Sequence, residues 1–183
     1  MEQATTINGV NVTALGETIE AIKGQPDIAK FQFRAKNKWI DGGHNRSEIK
    51  GFYGACQEDT SRTVPFVLDN AEPPILLGED QGANPVEYIL HALAGCMTTT
   101  MVYHAAARGI VIKSVETELE GDLDLRGFLR LDEGVRNGYE HVRVRFRVDS
   151  DATPEQLADL ARMSPVFDIV SNPVAISVDL SSA

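Results

Sequence analysis

The sequence is poor in cysteine and has no excess of positive charge. It contains 2 cysteines in 183 residues, too few for the disulfide framework on which small secreted domains depend. Acidic residues number 27 against 17 lysines and arginines, which gives a net charge of -10. Nucleic acids and anionic membranes favour basic surfaces, so neither is predicted as a main partner.

Motifs of several common enzyme classes are also missing. No G-x-S-x-G, Walker or dinucleotide-binding glycine pattern occurs, so hydrolase, nucleotide-binding and nicotinamide-dependent functions have no local support. The opening residues M-E-Q-A-T-T-I carry an acid and no basic segment, which predicts a protein without a signal peptide. We expect a cytoplasmic protein that needs no cofactor.

Charged residues are absent from one long stretch near the middle of the chain. Between Glu87 and Arg108 there is no Asp, Glu, Lys or Arg. Asn84 is suited to cap a helix, Pro85 to its first position, and Glu87 to the acid of a capping box. Gly109 can take the left-handed conformation that ends a helix. The pattern predicts a single long helix.

This helix has no charged face, so it requires cover on every side. Its length would suffice to cross a bilayer, but it carries two histidines and three consecutive threonines and lacks an adjacent basic cluster. A helix buried in protein is the better interpretation, and no membrane partner is predicted. Since few other long helices are expected, we predict a homodimer in which two copies of the helix pack across the two-fold axis.

The remaining patterns predict an α+β fold with antiparallel hairpins. Residues 1–28 are interpreted as an N-terminal helical extension, and residues 29–183 as the main domain. Apolar residues at helical spacing and a capping box identify the other helices. Helices are predicted over 12–23, 153–163 and 165–170, loops over 54–63 and 127–138, and strands over 30–40, 44–52, 64–68, 110–125, 141–148 and 174–180.

Cys96 lies near the middle of the long helix, next to Gly95. A free cysteine is often a small hydrophobic core residue, and that interpretation stays open beside a reactive one. In mid-helix the thiol gains nothing from the helix N-terminus, so a reactive Cys96 would need a nearby cation to lower its pKa. His91 lies about 140° from Cys96 around the helix axis, so the two cannot share a metal ion within a subunit, and no metal site is predicted.

The run from Gly82 to Cys96, G-A-N-P-V-E-Y-I-L-H-A-L-A-G-C, resembles the signature of the OsmC/Ohr superfamily of osmotically inducible and organic-hydroperoxide-resistance proteins. In that superfamily an N-P motif opens a long central helix, and A-G-C or A-A-C places the peroxidatic cysteine on it. The likeness extends from about Lys30 to Leu180. It implies an OsmC-like α+β fold, with an antiparallel sheet packed around the long helix, in an intertwined homodimer whose active site lies at the subunit interface.

The resemblance implies a thiol-dependent peroxidase. Cys96 matches the cysteine whose thiolate attacks the O–O bond of an organic hydroperoxide and becomes a sulfenic acid. The superfamily pairs that thiolate with an arginine of the N-terminal hairpin, and Arg46, just after the turn Asp41-Gly42-Gly43, matches it by position. A guanidinium stays charged and would hold Cys96 as a thiolate. The other interpretation of Arg46 is a solvated strand residue.

Two positions depart from the superfamily pattern. Its peroxidases usually read N-P-E, with the glutamate orienting the arginine, whereas this chain has Val86 there and Glu87 one residue later. Ser164 stands where the superfamily has its resolving cysteine. Cys56 either resolves Cys96 or is an inert loop cysteine, and in the second case an external thiol must recycle Cys96.

Two functions follow from the resemblance. The first is a cysteine peroxidase that reduces hydrophobic hydroperoxides in defence against oxidative stress. The second is a non-peroxidase dimer that binds an apolar small molecule at the same interface, with Cys96 only lining the pocket. In either case we expect the pocket to be lined by Tyr88, His91, Met97 and Phe167.

Overall fold

The computed structural model describes residues 5–182. Contacts divide them into two units, of which unit 1 comprises Thr5 and Asn11–Ile89, and unit 2 comprises Thr6–Val10 and residues 90–182. Helices and antiparallel sheets alternate irregularly along the chain, which confirms the predicted α+β class.

The N-terminal helix forms where its apolar spacing predicts it. Two short strands, β1 (Thr6–Ile7) and β2 (Val10–Asn11), precede helix α1 (Val12–Gly24). Asn11 caps this helix, since its side chain accepts a hydrogen bond from the backbone N–H of Ala14 at 3.0 Å. A single 3-10 turn, Pro26–Ala29, follows.

A three-stranded antiparallel sheet forms the main body of unit 1. Its strands lie in the order β3 (Lys36–Asp41), β4 (His44–Ile49) and β7 (Phe66–Asn70). Along the chain, a separate hairpin comes between β4 and β7. The predicted turn joins β3 to β4, with Gly42 at a φ of 50°, a conformation that glycine adopts without steric cost. The first predicted strand starts at Lys36 rather than at residue 30.

The prediction of a polar loop over 54–63 is wrong. Strands β5 (Phe52–Gly54) and β6 (Gln57–Asp59) form a hairpin there. The two residues of its turn, Ala55 and Cys56, have φ values of 48° and 62°. Such a turn usually carries Asn-Gly or a similar pair, and Ala-Cys gives no signal of it.

Helix α2 (Pro85–Ala107) confirms the predicted long helix and its caps. The Asn84 side chain accepts from the backbone N–H of Val86 at 2.9 Å, and Glu87 accepts from the backbone N–H of Asn84 at 2.9 Å. At the other end Gly109 takes a φ of 73°, the left-handed stop expected of it. Among residues 5–182, neither this helix nor another is long and apolar enough to cross a membrane.

Unit 2 has one hydrophobic core. Strands β8 (Ile112–Asp122) and β9 (His141–Ser150) form an antiparallel pair, with helix α3 (Leu125–Phe128) between them; helices α4 (Pro154–Arg162) and α5 (Pro165–Ser171) follow. Helix α4 opens with the predicted capping box of Thr153 and Gln156. Apolar residues of the β8–β9 pair pack against a buried cluster contributed by α2 and α4: Leu93, Met97, Met101, Ala105, Leu157, Leu160 and Ala161.

Two predictions in unit 2 need correction. The sequence predicts a strand that includes Leu125, but helix α3 starts at this residue. Asp124 caps the helix by accepting a hydrogen bond from the backbone N–H of Arg126. The strand predicted over 174–180 is absent, since residues 173–182 contain no regular secondary structure. Its residues alternate as a strand requires, but no strand in the described part of the chain pairs with them.

Candidate active site

Cys96 lies on α2 at the border of the surface that this helix exposes. Its thiol is free, and the residue as a whole is partly exposed. Exposed residues recur along the same helix at Ala92, Gly95, Thr99 and Tyr103, and their spacing of three to four residues places them on one helical face. The opposite face packs into the core of unit 2. Among the described residues of unit 2, the core therefore covers one side of the charge-free helix.

The exposed stripe is lined by small side chains near Cys96. A methyl group added at Gly95 would meet no atom within 4 Å among the described residues outside the adjacent helix backbone. The Thr98 hydroxyl, by contrast, turns to β8 and lies 3.1 Å from the hydroxyl of Thr117. Among the described residues, the helical surface at Gly95 therefore has open space, and α2 carries no charged side chain between Glu87 and Arg108.

Arg46 belongs to a charged cluster on one face of the β3–β4–β7 sheet in unit 1. Arg46 and Asp69 are directly opposite each other on β4 and β7. The Nε of Arg46 donates to Oδ1 of Asp69 at 2.8 Å, and Nε2 of His44 lies 2.8 Å from the same oxygen. His44 and Arg46 are two residues apart on one strand, so both side chains point to the same face.

The electrostatics of this cluster follow from its hydrogen bonds. The bond from Arg46 is the largest effect and the bond from His44 the next, and together they hold the pKa of the Asp69 carboxyl below its usual range. The same contact raises the pKa of Arg46. Asp69 is thus ionised and Arg46 charged at neutral pH. Lys38 lies directly opposite Arg46 on β3, and Glu48, two residues further along β4, also acts to raise the pKa of Arg46.

An open cleft of about 620 Å³ gives access to Arg46. Three of the residues around it are cations, and one is an acid. The cleft therefore presents positive charge beside apolar surface. The residues that line it are Lys36, Asn37, Lys38, Trp39, Ile40, Arg46 and Glu48.

The residues at the positions that depart from the superfamily pattern have structural roles. Glu87 completes the cap of α2 through its bond to Asn84, and Val86 offers no side-chain acceptor. Ser164 is 1% exposed and caps α5, where its hydroxyl accepts from the backbone N–H of Phe167 at 3.2 Å. Cys56 is exposed in the β5–β6 turn and is a free thiol.

The four residues assigned to a substrate pocket have different surroundings. The Tyr88 hydroxyl donates at 3.0 Å to the backbone carbonyl oxygen of Asp69, the residue whose carboxylate accepts from Arg46. His91 is exposed on α2. Met97 is 5% exposed in the core of unit 2, and Phe167 packs against that core. Their assignment to one pocket stays a prediction, as do the roles of Cys96, Arg46, Glu87, Cys56 and Ser164.

Sequence reasoning missed two residues of the Arg46 cluster. His44 could have been found, since a residue two positions before Arg46 on a strand shares its face. Asp69 could not, because its place depends on the register between β4 and β7, which are separated by a whole hairpin. Across residues 5–182 no three His, Cys, Asp or Glu side chains are grouped so as to hold a metal ion.

The chain matches a known protein family by sequence and several solved structures by fold. Residues 78–179 match the family described as OsmC-like protein. The chain is similar to an OsmC-like protein from Mycoplasma pneumoniae, with 13% identity, 78% of this chain and 89% of that chain covered, and a TM-score of 0.58. It is also similar to an OsmC-like protein of unknown function from Vibrio cholerae, with 14% identity, coverages of 78% and 93%, and a TM-score of 0.55.

A third similar structure is a putative osmotic stress induced and detoxification response protein from Psychrobacter arcticus. It is 14% identical, the match covers 72% of this chain and 83% of that one, and the TM-score is 0.53. None of the curated proteins matches the chain in sequence. The structural likenesses confirm the OsmC-like fold predicted from the sequence.

Proposed function

Because the chain belongs to the OsmC-like protein family, we propose that it is a thiol-dependent peroxidase that reduces organic hydroperoxides through Cys96. One observation supports this above the others. Cys96 is a free thiol, partly exposed at the edge of an uncharged helical surface. A fully buried cysteine is closed off from reactants, whereas Cys96 is only partly buried in the described chain.

The reaction proceeds in balanced steps. The Cys96 thiolate attacks the terminal, hydrogen-bearing oxygen of the hydroperoxide, the O–O bond breaks, and the leaving alkoxide takes up a proton to become an alcohol. Sulfur is oxidised by two electrons to a sulfenic acid while the hydroperoxide is reduced. An external thiol then condenses with the sulfenic acid, which releases water and leaves a mixed disulfide. A second external thiol attacks the external sulfur of that mixed disulfide, which joins the two external thiols in a disulfide and releases Cys96 as a thiolate.

Arg46 supplies the positive charge that the thiolate requires in this proposal. A mid-helix cysteine has no help from the helix dipole, so its pKa falls only if a cation lies near it. Arg46 matches the superfamily arginine by its position in the sequence, just after the β3–β4 turn, and a guanidinium keeps its charge at every physiological pH. Its pairing with Cys96 is carried over from the family and is part of the proposal.

An external thiol replaces the resolving cysteine of the family. At the matching position this chain has Ser164, whose hydroxyl is already bonded to the backbone of α5. Serine cannot form a disulfide. The proposal therefore assigns recycling to a small thiol or a thiol protein and treats Cys56 as a turn residue.

A homodimer belongs to the same proposal. The exposed stripe of α2 needs cover, and small residues at Ala92, Gly95 and Thr99 would let a second helix approach closely. The C-terminal segment also exposes large apolar side chains, with Ile176 at 81% and Leu180 at 95%. A second copy of the chain would bury both surfaces, since soluble proteins rarely leave extended apolar surfaces exposed.

A second candidate is a dimer that binds an apolar small molecule without reducing it. Val86 and Ser164 favour it, because both replace residues on which the peroxidase cycle of the family depends. Both candidates use a pocket at the dimer interface beside Cys96, and they differ in whether its sulfur is oxidised.

Trapping of the sulfenic acid separates the two. The reduced Cys56→Ser variant is mixed with cumene hydroperoxide and then with dimedone, and the adduct is located by mass spectrometry. We expect one adduct, on Cys96, and one equivalent of cumyl alcohol. The Cys56→Ser/Cys96→Ser variant should give neither. A folded protein that forms no adduct and no alcohol would contradict the peroxidase and leave the ligand-binding candidate.

A further inference from the structure

Arg46 is held by a carboxylate that comes from an unexpected strand. In the family the residue after Asn-Pro orients the arginine, but Val86 has no side-chain acceptor. The acceptor for Arg46 is Asp69 on β7, at 2.8 Å from Nε. Because Arg46 and Asp69 are directly opposite in the β4–β7 register, their contact is fixed by the pairing of the two strands.

The bond to Asp69 uses only one of the three guanidinium nitrogens. Within residues 5–182, Nε is the nitrogen of Arg46 that donates to a protein acceptor. The two terminal nitrogens retain their donors, and a guanidinium presents them in a fixed planar fork. A carboxylate on Nε therefore sets the orientation of the fork without occupying the donors that would face an anion.

Asp69 is itself held firmly in place. The Tyr88 hydroxyl donates to its carbonyl oxygen at 3.0 Å. At Gly82 an added Cβ would lie 2.0 Å from the same oxygen, so only glycine permits this close approach of the two backbones. The Asp69 side chain is fixed from a second direction by His44, whose own side chain is 16% exposed.

We propose that Asp69 is the positioning residue for Arg46, with His44 as the second contact that holds its carboxylate, in place of the glutamate that follows Asn-Pro in the family. The inference rests on the proposed function, in which the free fork of Arg46 stabilises the Cys96 thiolate. Asp69 contacts no reacting atom and acts through the guanidinium. The depressed pKa of Asp69 agrees with this role, since the carboxylate stays ionised over the working range of the thiol.

The test compares thiolate titration with reaction rate in the Cys56→Ser background. Ultraviolet absorbance follows ionisation of Cys96, and stopped-flow kinetics follow its oxidation by cumene hydroperoxide. We expect Asp69→Asn to raise the pH at which Cys96 ionises, in the same direction as Arg46→Ala. The second-order rate should fall on the order of tenfold to a hundredfold, as misplacement of a charged group by about 1 Å does in other enzymes.

Glu58→Gln is the matched control. It removes a carboxylate from another arginine pair of unit 1, in which Arg34 donates to both oxygens of Glu58 at 2.8 and 2.9 Å. Neither the titration nor the rate should change in this variant. An equal effect of Glu58→Gln and Asp69→Asn would show a general loss of charge and would overturn the inference.

A double variant distinguishes action through Arg46 from an independent effect. If Asp69 acts through Arg46, Asp69→Asn should change nothing further once Arg46→Ala is present. Effects that add, or a wild-type titration and rate in Asp69→Asn alone, would contradict the positioning role while leaving the peroxidase intact. A wild-type protein without sulfenic acid would instead contradict the proposed function.

Asp69→Glu keeps the test decisive if Asp69→Asn fails to fold. It retains an ionised acceptor but displaces it by one methylene group. The inference predicts a rate between those of the parent protein and Arg46→Ala. A parental rate in this folded variant would show that the placement of the carboxylate is irrelevant.

Discussion

Arg143 of β9 donates two hydrogen bonds to the carboxylate of Asp122, at 2.5 and 2.8 Å, although the residue directly opposite Asp122 is His141. The same guanidinium reaches Glu120, which Arg145 also contacts at 3.1 Å. The alternation of arginines along β9 predicts a solvated face. The structure adds that the acids of β8 lie across from them, so the exposed face of the pair is a ladder of opposite charges.

This ladder makes the stability of the fold depend on pH. The bond from Arg143 is the main cause of the lowered pKa of Asp122, and the bonds from Arg145 and then Arg143 lower the pKa of Glu120. A carboxyl whose pKa is lower in the folded state stabilises the fold above its unfolded pKa of about 4. That contribution is lost as the pH falls through the lower folded value.

We therefore predict that Arg143→Ala lowers the free energy of unfolding at pH 7 and that the difference from the parent shrinks below about pH 4. Urea denaturation at pH 7, 5 and 3 measures it. Arg147→Ala is the control. Arg147 lies on the same face but is 75% exposed, and its contacts with Glu116 and Glu118 are longer, at 3.7 and 3.6 Å. A loss for Arg143→Ala that is constant from pH 7 to pH 3 would contradict the linkage.

Ser164 is expected to contribute to stability rather than to chemistry. It is 1% exposed, and its hydroxyl caps α5 through the backbone N–H of Phe167. We predict that Ser164→Ala lowers the free energy of unfolding by about 1–2 kcal/mol, the usual cost of losing a helix cap. Urea denaturation measures it, with the exposed Ser171→Ala as a control. The structural role is wrong if the two variants are equally stable.

Much of the fold could be predicted because its signals are local. The caps of α2 at Asn84, Glu87 and Gly109 lie within a few residues of the turns that they complete. The same holds for the capping box of Thr153. Such contacts depend on spacing along the chain, which the sequence displays directly.

The β5–β6 turn shows where local signals fail. Ala55 and Cys56 both have positive φ, which costs a residue with a side chain about 1–2 kcal/mol. We predict that Ala55→Asn/Cys56→Gly raises the free energy of unfolding by about 1 kcal/mol, because this pair suits the turn. Cys56→Ser keeps a side chain at the same φ and should leave stability unchanged. Thermal unfolding of the three proteins measures it, and an unchanged double variant would contradict it.

Long-range pairing accounts for the other misses. The alternating residue pattern over 174–180 indicates a segment whose two faces differ in polarity. A strand also requires a neighbouring strand for its backbone hydrogen bonds. Asp69 was missed for a related reason, since its contact with Arg46 depends on the register of β4 against β7. The sequence pattern of one strand does not show which residues of another strand lie opposite it.

Gly95 allows a direct test of the proposed dimer. In a single chain, no described atom outside the two neighbouring residues and the adjacent helix backbone lies within 4 Å of a Cβ added there, so the position has open space for a side chain. If a second α2 packs on this stripe, Gly95→Leu must clash with it. We predict that the parent protein has twice the mass of the chain and that Gly95→Leu has the mass of one, by sedimentation equilibrium.

Gly16→Leu is the matched control, since Gly16 also lies within a helix and an added Cβ there meets nothing among the described residues. Both substitutions should favour the helix by up to about 1 kcal/mol, because glycine is a poor helix former. Only Gly95→Leu should dissociate the dimer. It should also slow the oxidation of Cys96, because the proposal places Cys96 at the same dimer interface. A Gly95→Leu protein that remains dimeric would exclude this face of α2 as the interface.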